Sequence, residues 1–169
     1  MYDSPLEELP KQPQPKLPWY LRFAERHEPN EIITANDEGS PYLYRWHIIP
    51  KNRFLNVYLH RFVGPDKRHL HDHPWVSLAY MLEGEFLETF YKPGPNHPDV
   101  IERLVEVRTI KKGSWTYRNS RFLHYLAPGP EGAWTIFITG PKLRKWGFIT
   151  EYGWRPWNTV LAHKSKGGY

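Results

Sequence analysis

The sequence predicts an all-β protein, a sandwich or small barrel built from short strands. Three observations carry this expectation. Prolines and glycines are dense, 17 and 12 in 169 residues, so long regular elements have little room. Aromatic residues make up 16 % of the chain, with 8 Trp and 11 Tyr. Apolar, β-branched and aromatic runs recur between turn-forming clusters, the pattern of strands joined by tight connections.

In chain order, residues 1–18 carry Pro5, Pro10, Pro13, Pro15 and Pro18 with few large apolar side chains. Such a segment favours extended or polyproline backbone and forms no core of its own, so it reads as an arm preceding one domain over 19–169. Trp19 to Arg26 reads as a short helix, with Pro18 at its entrance. Strands are expected over Tyr42–Ile49, Phe54–Val63, Trp75–Leu82, Glu85–Tyr91, Ile101–Ile110, Ser114–Arg118, Phe122–Ala127, Trp134–Gly140 and Trp146–Tyr152. The breaks between them include Gly64-Pro65-Asp66, Glu83-Gly84, Lys112-Gly113 and Pro128-Gly129-Pro130. No short fixed-period repeat is present.

Composition narrows the chemistry. With no cysteine there is no disulfide framework, thiolate metal site or cysteine nucleophile. No apolar run is long enough to span a bilayer, and the N-terminus lacks the basic-then-apolar pattern of a secretion signal, so a cytoplasmic protein is expected. The formal charge of +5 is scattered, apart from Lys142-Leu143-Arg144-Lys145 and His163-Lys164-Ser165-Lys166. That distribution suits a solvated surface better than a nucleic-acid stripe.

The informative motif is Arg68-His69-Leu70-His71-Asp72-His73-Pro74-Trp75. On a strand, alternate side chains share a face, so His71 and His73 can reach one point. Neutral imidazole is the commonest protein ligand for transition metals. A third histidine from elsewhere, His124, completes a three-point grip that leaves coordination positions open.

Here the residues resemble the cupins, whose fold is a double-stranded β-helix or small jelly-roll barrel. In the first cupin signature a His-x-His pair is followed by Glu and then Gly; His71, His73 and Gly84 keep that spacing, while Ser77 stands where Glu is usual. In the second, Gly113 precedes His124 at the required interval, with Asn119 and Arg121 in the usual Pro and Gly places. More narrowly, His-Asp-His-Pro-Trp with Trp134–Pro141 and Trp146-Gly147-Phe148 is similar to a bacterial and phage group of cupins. The resemblance implies metal ligation by His71, His73 and His124. Loss of the carboxylate at Ser77 is similar to the three-histidine site of thiol dioxygenases, which favours Fe(II) over Zn, Ni or Mn.

The remaining polar residues divide by strand parity. His60 shares a face with Phe54, Asn56, Tyr58 and Phe62 and is a pocket-lining candidate, as is Ser77. Only one of Tyr117 and Arg118 can face inward, and Tyr117 is the better pocket candidate. His69 sits nearer a turn and is read as a rim residue. Asp72 points away from its flanking histidines and is expected to make a structural contact behind them. Glu85 and Glu88 read as solvated or structural, and Arg144 as a surface arginine.

The expected function is a metal-dependent cupin enzyme, an Fe(II) three-histidine oxygenase acting on a small molecule, in a homodimer. The alternatives are a non-redox cupin, either a sugar isomerase or epimerase or a ligand-binding module, and an enzyme that modifies nucleic acid or its precursors.

Overall fold

The computed structural model describes residues 17–34, 40–66, 70–91 and 105–164. The proline-rich arm therefore lies outside the described residues except for Leu17 and Pro18. His69 and residues 101–104 of the expected fifth strand lie outside them too.

The helix expected after Pro18 is present as a 3-10 turn, Trp19–Leu21, running into α1, Arg22–Arg26. Nine strands follow among the described residues: β1 (Glu31–Thr34), β2 (Pro41–His47), β3 (Asn56–Phe62), β4 (Ser77–Tyr91), β5 (Val105–Lys111), β6 (Trp115–Arg118), β7 (His124–Thr139), β8 (Gly147–Thr150) and β9 (Gly153–Pro156). A short helix, α2 (Trp157–Lys164), comes last. The main sheet is antiparallel in the order β1-β2-β3-β7-β4-β5, with β6 also on β4, while β8 and β9 form a separate hairpin. The architecture is an antiparallel β-sandwich.

The largest difference from the sequence reading is that four expected strands are two. Trp75–Leu82 and Glu85–Tyr91 merge into β4, and Phe122–Ala127 and Trp134–Gly140 merge into β7. Their glycines bend the strands instead of ending them. Gly84 and Gly132 have φ of 78° and 77°, open to glycine at no steric cost. A Cβ on Gly84 would lie 2.3 Å from the Gly132 carbonyl oxygen, so the two bends nest against each other. The ladder shifts register there and then resumes, from Ser77↔Thr139 at one end to Phe90↔His124 at the other. The first half of β4 carries β6 on its other edge and the second half carries β5, so one bent pair serves both layers.

β1, β9 and α2 were not expected. The first two are only four residues long, too short for alternation to register in sequence. Conversely, Phe54 falls outside β3 and is 64 % exposed, so it does not share the inward face of Asn56, Tyr58, His60 and Phe62.

Two apolar clusters flank the main sheet. Inside the sandwich, Tyr42, Leu43, Phe62, Met81, Phe86, Ile110 and Ala133 pack together. On the outer face Leu21, from the 3-10 turn, covers Trp46, Leu59 and Trp134. Trp46 and Trp134 stack at 5.7 Å, and Trp46 Nε1 donates to the His27 carbonyl at 2.8 Å, fixing the N-terminal segment to the sheet.

The edge strand β1 is held to β2 by backbone pairing and by Glu31, which accepts from Arg45 Nη1 and Lys51 Nζ, each at 2.8 Å. Burial would raise the Glu31 carboxyl, but the Lys51 hydrogen bond and the Arg45 and Lys51 charges outweigh it and hold it at about 2. A carboxyl depressed on folding stabilises above its usual 4.5, and that contribution disappears as pH falls toward about 2. Because Glu31 is partly solvated, Glu31→Gln is predicted to cost about 1 kcal/mol at neutral pH. In urea unfolding the gap between the two proteins should close between pH 4.5 and 2.

Candidate metal centre

The His71–His73 segment is not a regular strand, contrary to the sequence reading. His71 forms isolated bridges to His124 and Phe148, and β4 begins only at Ser77. Pro74 has no N–H to continue a ladder. Its carbonyl instead accepts from Leu143 N at 2.7 Å, so the segment is held by the loop after β7. Convergence survives because His71 and His124 exchange two backbone hydrogen bonds, at 3.1 and 3.0 Å. His73, His71 and His124 each offer a ring nitrogen, and the three nitrogens lie within 4.8 Å of one another. His73 Nε2 and His124 Nε2 are 3.1 Å apart.

Burial sets the protonation of these rings. It holds His124 at about 3 even though its hydrogen bond to Glu88 acts in the opposite sense. His73 is pushed well below the usual imidazole range, first by burial and then by His71 and His124. Both are neutral at physiological pH. His124 Nδ1 donates to Glu88 Oε1 at 2.7 Å, which leaves the Nε2 lone pair facing His73. Neutral nitrogen lone pairs converging on one point are the donor set that a transition ion requires.

Behind His124 lies a buried charge network that the sequence reading missed. Glu88 is fully buried and also accepts from Arg118 Nε and Arg108 Nε, both at 2.7 Å. Burial would raise its carboxyl, but the His124 hydrogen bond and the Arg118 charge hold it at about 2. Strand parity carried a signal: Phe86, Glu88 and Phe90 alternate on one face, and a glutamate between two phenylalanines is a candidate for burial. Tyr117 requires correction. It is 65 % exposed, and Arg118 takes the inward place, because β6 pairs with β4 in the register Ser77↔Arg118.

Asp72 makes the structural contact expected of it. It accepts from Gly147 N at 2.7 Å, from Trp154 Nε1 at 2.9 Å and from Arg144 Nη1. Arg144 is therefore not a free surface arginine; it also donates to the Ser120 carbonyl at 2.8 Å. Through this pair the histidine loop is tied both to the β8–β9 hairpin and to the turn that delivers His124.

The three histidines open onto a cavity of about 230 Å³ within the sandwich. Its wall is largely apolar, including Met81, Phe86, Phe137 and Trp146. Ser77 lines it and is 4 % exposed, at the position where a ligand carboxylate was absent from the sequence. His60 lines the cavity as well. It is buried, accepts from Arg45 Nε at 2.8 Å, and stacks on Phe137 at 5.0 Å. Burial, then the nearby Arg45 charge, pushes His60 well below the usual range, so it too is a neutral ring.

No family model matches this sequence, and no curated protein matches it. Solved structures do. DMSP lyase DddQ from Ruegeria pomeroyi matches with a TM-score of 0.50 and 13 % identity, over 70 % of this chain and 57 % of that one. An RmlC-like cupin from Shewanella frigidimarina matches at 0.44 and 19 % identity, over 59 % of this chain and 77 % of that one. The Fe(II) form of HppE matches at 0.49 and 14 % identity, over 64 % and 55 %. The chain thus spans little more than half the length of two of these structures. These matched structures are cupins. The chain has the cupin fold.

In this cupin the three histidines stand together where the segment before β4 pairs with the start of β7, and a buried carboxylate stands behind one of them. Removing Glu88 leaves Arg118, itself buried, without its counter-ion. Glu88→Ala is therefore predicted to destabilise by about 3–5 kcal/mol in chemical denaturation. Arg108→Ala, whose side chain is 42 % exposed, should cost less than half of that.

Proposed function

We propose that this cupin is a metal-dependent enzyme in which His71, His73 and His124 hold one transition ion, with Fe(II) favoured, and that it acts as an oxygenase on a small molecule. The observation that carries this reading is the set of three ring nitrogens within 4.8 Å of one another at the wall of an apolar cavity. An ion bound there would supply Lewis acidity and open positions for substrate and oxygen.

The protein's own residues have definable tasks in this reading. Glu88 keeps the His124 proton on Nδ1, so that Nε2 serves as a donor. Arg118 and Arg108 neutralise Glu88 and fix its orientation. The largely apolar wall disfavours water, and the Arg45–His60 pair presents polar groups to the same cavity. A cavity of about 230 Å³ suits a small molecule better than a nucleic-acid strand. The expected homodimer remains part of the reading, supported by Trp115 and Tyr117, which are 58 % and 65 % exposed on β6.

Elemental analysis of untagged protein loaded anaerobically with Fe(II) tests the site. Wild type and Ser77→Ala should each hold about one ion per chain, whereas His124→Ala should lose about 100-fold or more in affinity. Equal iron in His124→Ala and wild type would remove the assignment. Substrate-dependent oxygen uptake abolished by a chelator tests the reaction class. Turnover that persists with chelator and without oxygen would instead indicate a non-redox isomerase or epimerase.

A further inference from the structure

On β3, His60 stands opposite Arg45 of β2 and opposite Thr135 of β7. Directly opposed residues share a face of the sheet, and all three line the cavity. Arg45 Nε donates to His60 Nε2 at 2.8 Å, and a guanidinium can only donate. Nε2 is therefore the acceptor, and the neutral ring carries its proton on Nδ1. Arg45 is itself held by Glu31, so this tautomer is imposed from the edge strand. Tyr58 and Phe137 stack on the imidazole at 5.7 and 5.0 Å and fix its plane. Among the described residues nothing accepts from Nδ1–H, and the Thr135 hydroxyl has no partner there either. His60 is 2 % exposed and Thr135 4 %, yet neither atom is sealed off: the buried polar side-chain atom without a partner is Trp75 Nε1. Both groups thus meet open space in the cavity that they line.

We propose that His60 Nδ1–H and Thr135 Oγ1–H form a cradle for the carboxylate of a small organic acid, the substrate class of this cavity. The inference rests on the reading of the cavity as a substrate site and deepens it. Two donors on paired strands, with Cβ atoms about 5 Å apart as for any directly opposed pair, can converge on the two oxygens of one carboxylate. Charge selects an anion over a neutral acceptor. Arg45 and Arg118 line the cavity together with Asp66. Behind the two arginines Glu31 also takes Lys51, and Glu88 also takes Arg108. Each of these carboxylates is shared by two cations, so the surplus is positive even with Asp66 counted. Where polar groups are few, charge-assisted hydrogen bonds are strong, and the apolar wall receives the rest of the molecule.

The experiment is NMR of the nitrogen-labelled full chain with Zn(II) added, titrated with butyrate and with butyramide, its neutral counterpart. The histidine spectrum should place the His60 proton on Nδ1, and butyrate should shift that resonance; affinities are read from the signals of the added compound. His60→Gln keeps an acceptor for Arg45 but loses the Nδ1 donor, and Thr135→Val keeps the branching but loses the hydroxyl. Each should weaken butyrate about 10-fold or more, whereas His60→Asn, whose amide nitrogen falls near the Nδ1 position, should stay within about 3-fold of wild type. Undiminished butyrate binding in His60→Gln and Thr135→Val would overturn the proposal. So would a wild-type His60 proton on Nε2, a result independent of how any variant folds. Butyramide should bind about 10-fold more weakly than butyrate, and equal affinity would overturn the assignment to organic acids. His124→Ala separates the two readings. It should lose the ion and keep butyrate at His60; loss of butyrate would place the anion on the ion and overturn the cradle. If His124→Ala holds the ion as wild type does, the three-histidine reading fails and the cradle stands.

Discussion

The pairing of β4 with β7 is the constraint on which the rest of this structure depends. These two long bent strands hydrogen-bond to each other from Ser77↔Thr139 to Phe90↔His124. Ser77, Glu88 and His124 all ride on that ladder, and β3, β5 and β6 attach to its edges. The bend at Gly84 and Gly132 requires the positive φ that glycine alone accepts freely. It turns one ladder into two layers and leaves a cavity between them. Because the strands are continuous through the bend, the packing of one layer fixes the position of the histidine in the other.

Buried charge is the second organising element. Glu88 and Arg118 are both removed from water, and each is tolerable only because the other is present. Their pairing has a chemical consequence at His124, since a carboxylate accepting from Nδ1 selects the tautomer whose Nε2 lone pair faces His73. A parallel device works on the other side. Asp72 receives Gly147 N, Trp154 Nε1 and Arg144, and so orients a loop of histidines that no regular strand supports. The site is thus positioned from behind by two carboxylates, while burial keeps His73 and His124 neutral in front.

This arrangement gives the cavity a mixed lining. Apolar side chains such as Phe86 and Phe137 form most of the wall, and the polar groups in it include the histidines and the Arg45–His60 pair. A small ligand entering it exchanges water for an apolar surface with few, fixed polar contacts, the condition under which orientation is specified by those contacts.

The sequence by itself determined the all-β class, the short helix after Pro18, and the identity of the three histidines that meet. Periodicity, turn residues and the spacing of His71, His73 and His124 are local features that survive any arrangement of neighbours. Whether a turn residue ends a strand or bends it is not local: Gly84 bends β4 because Gly132 lies against it across the ladder. Register likewise decided between Tyr117 and Arg118, since parity says only that one faces inward and the pairing Ser77↔Arg118 says which. Glu88 follows a turn and Asp66 lies within one, settings in which a carboxylate is ordinarily solvated. Only the tertiary structure buries them, because the partners that make burial of a carboxylate tolerable, or that it stands beside in the cavity, come from strands and loops distant in the chain.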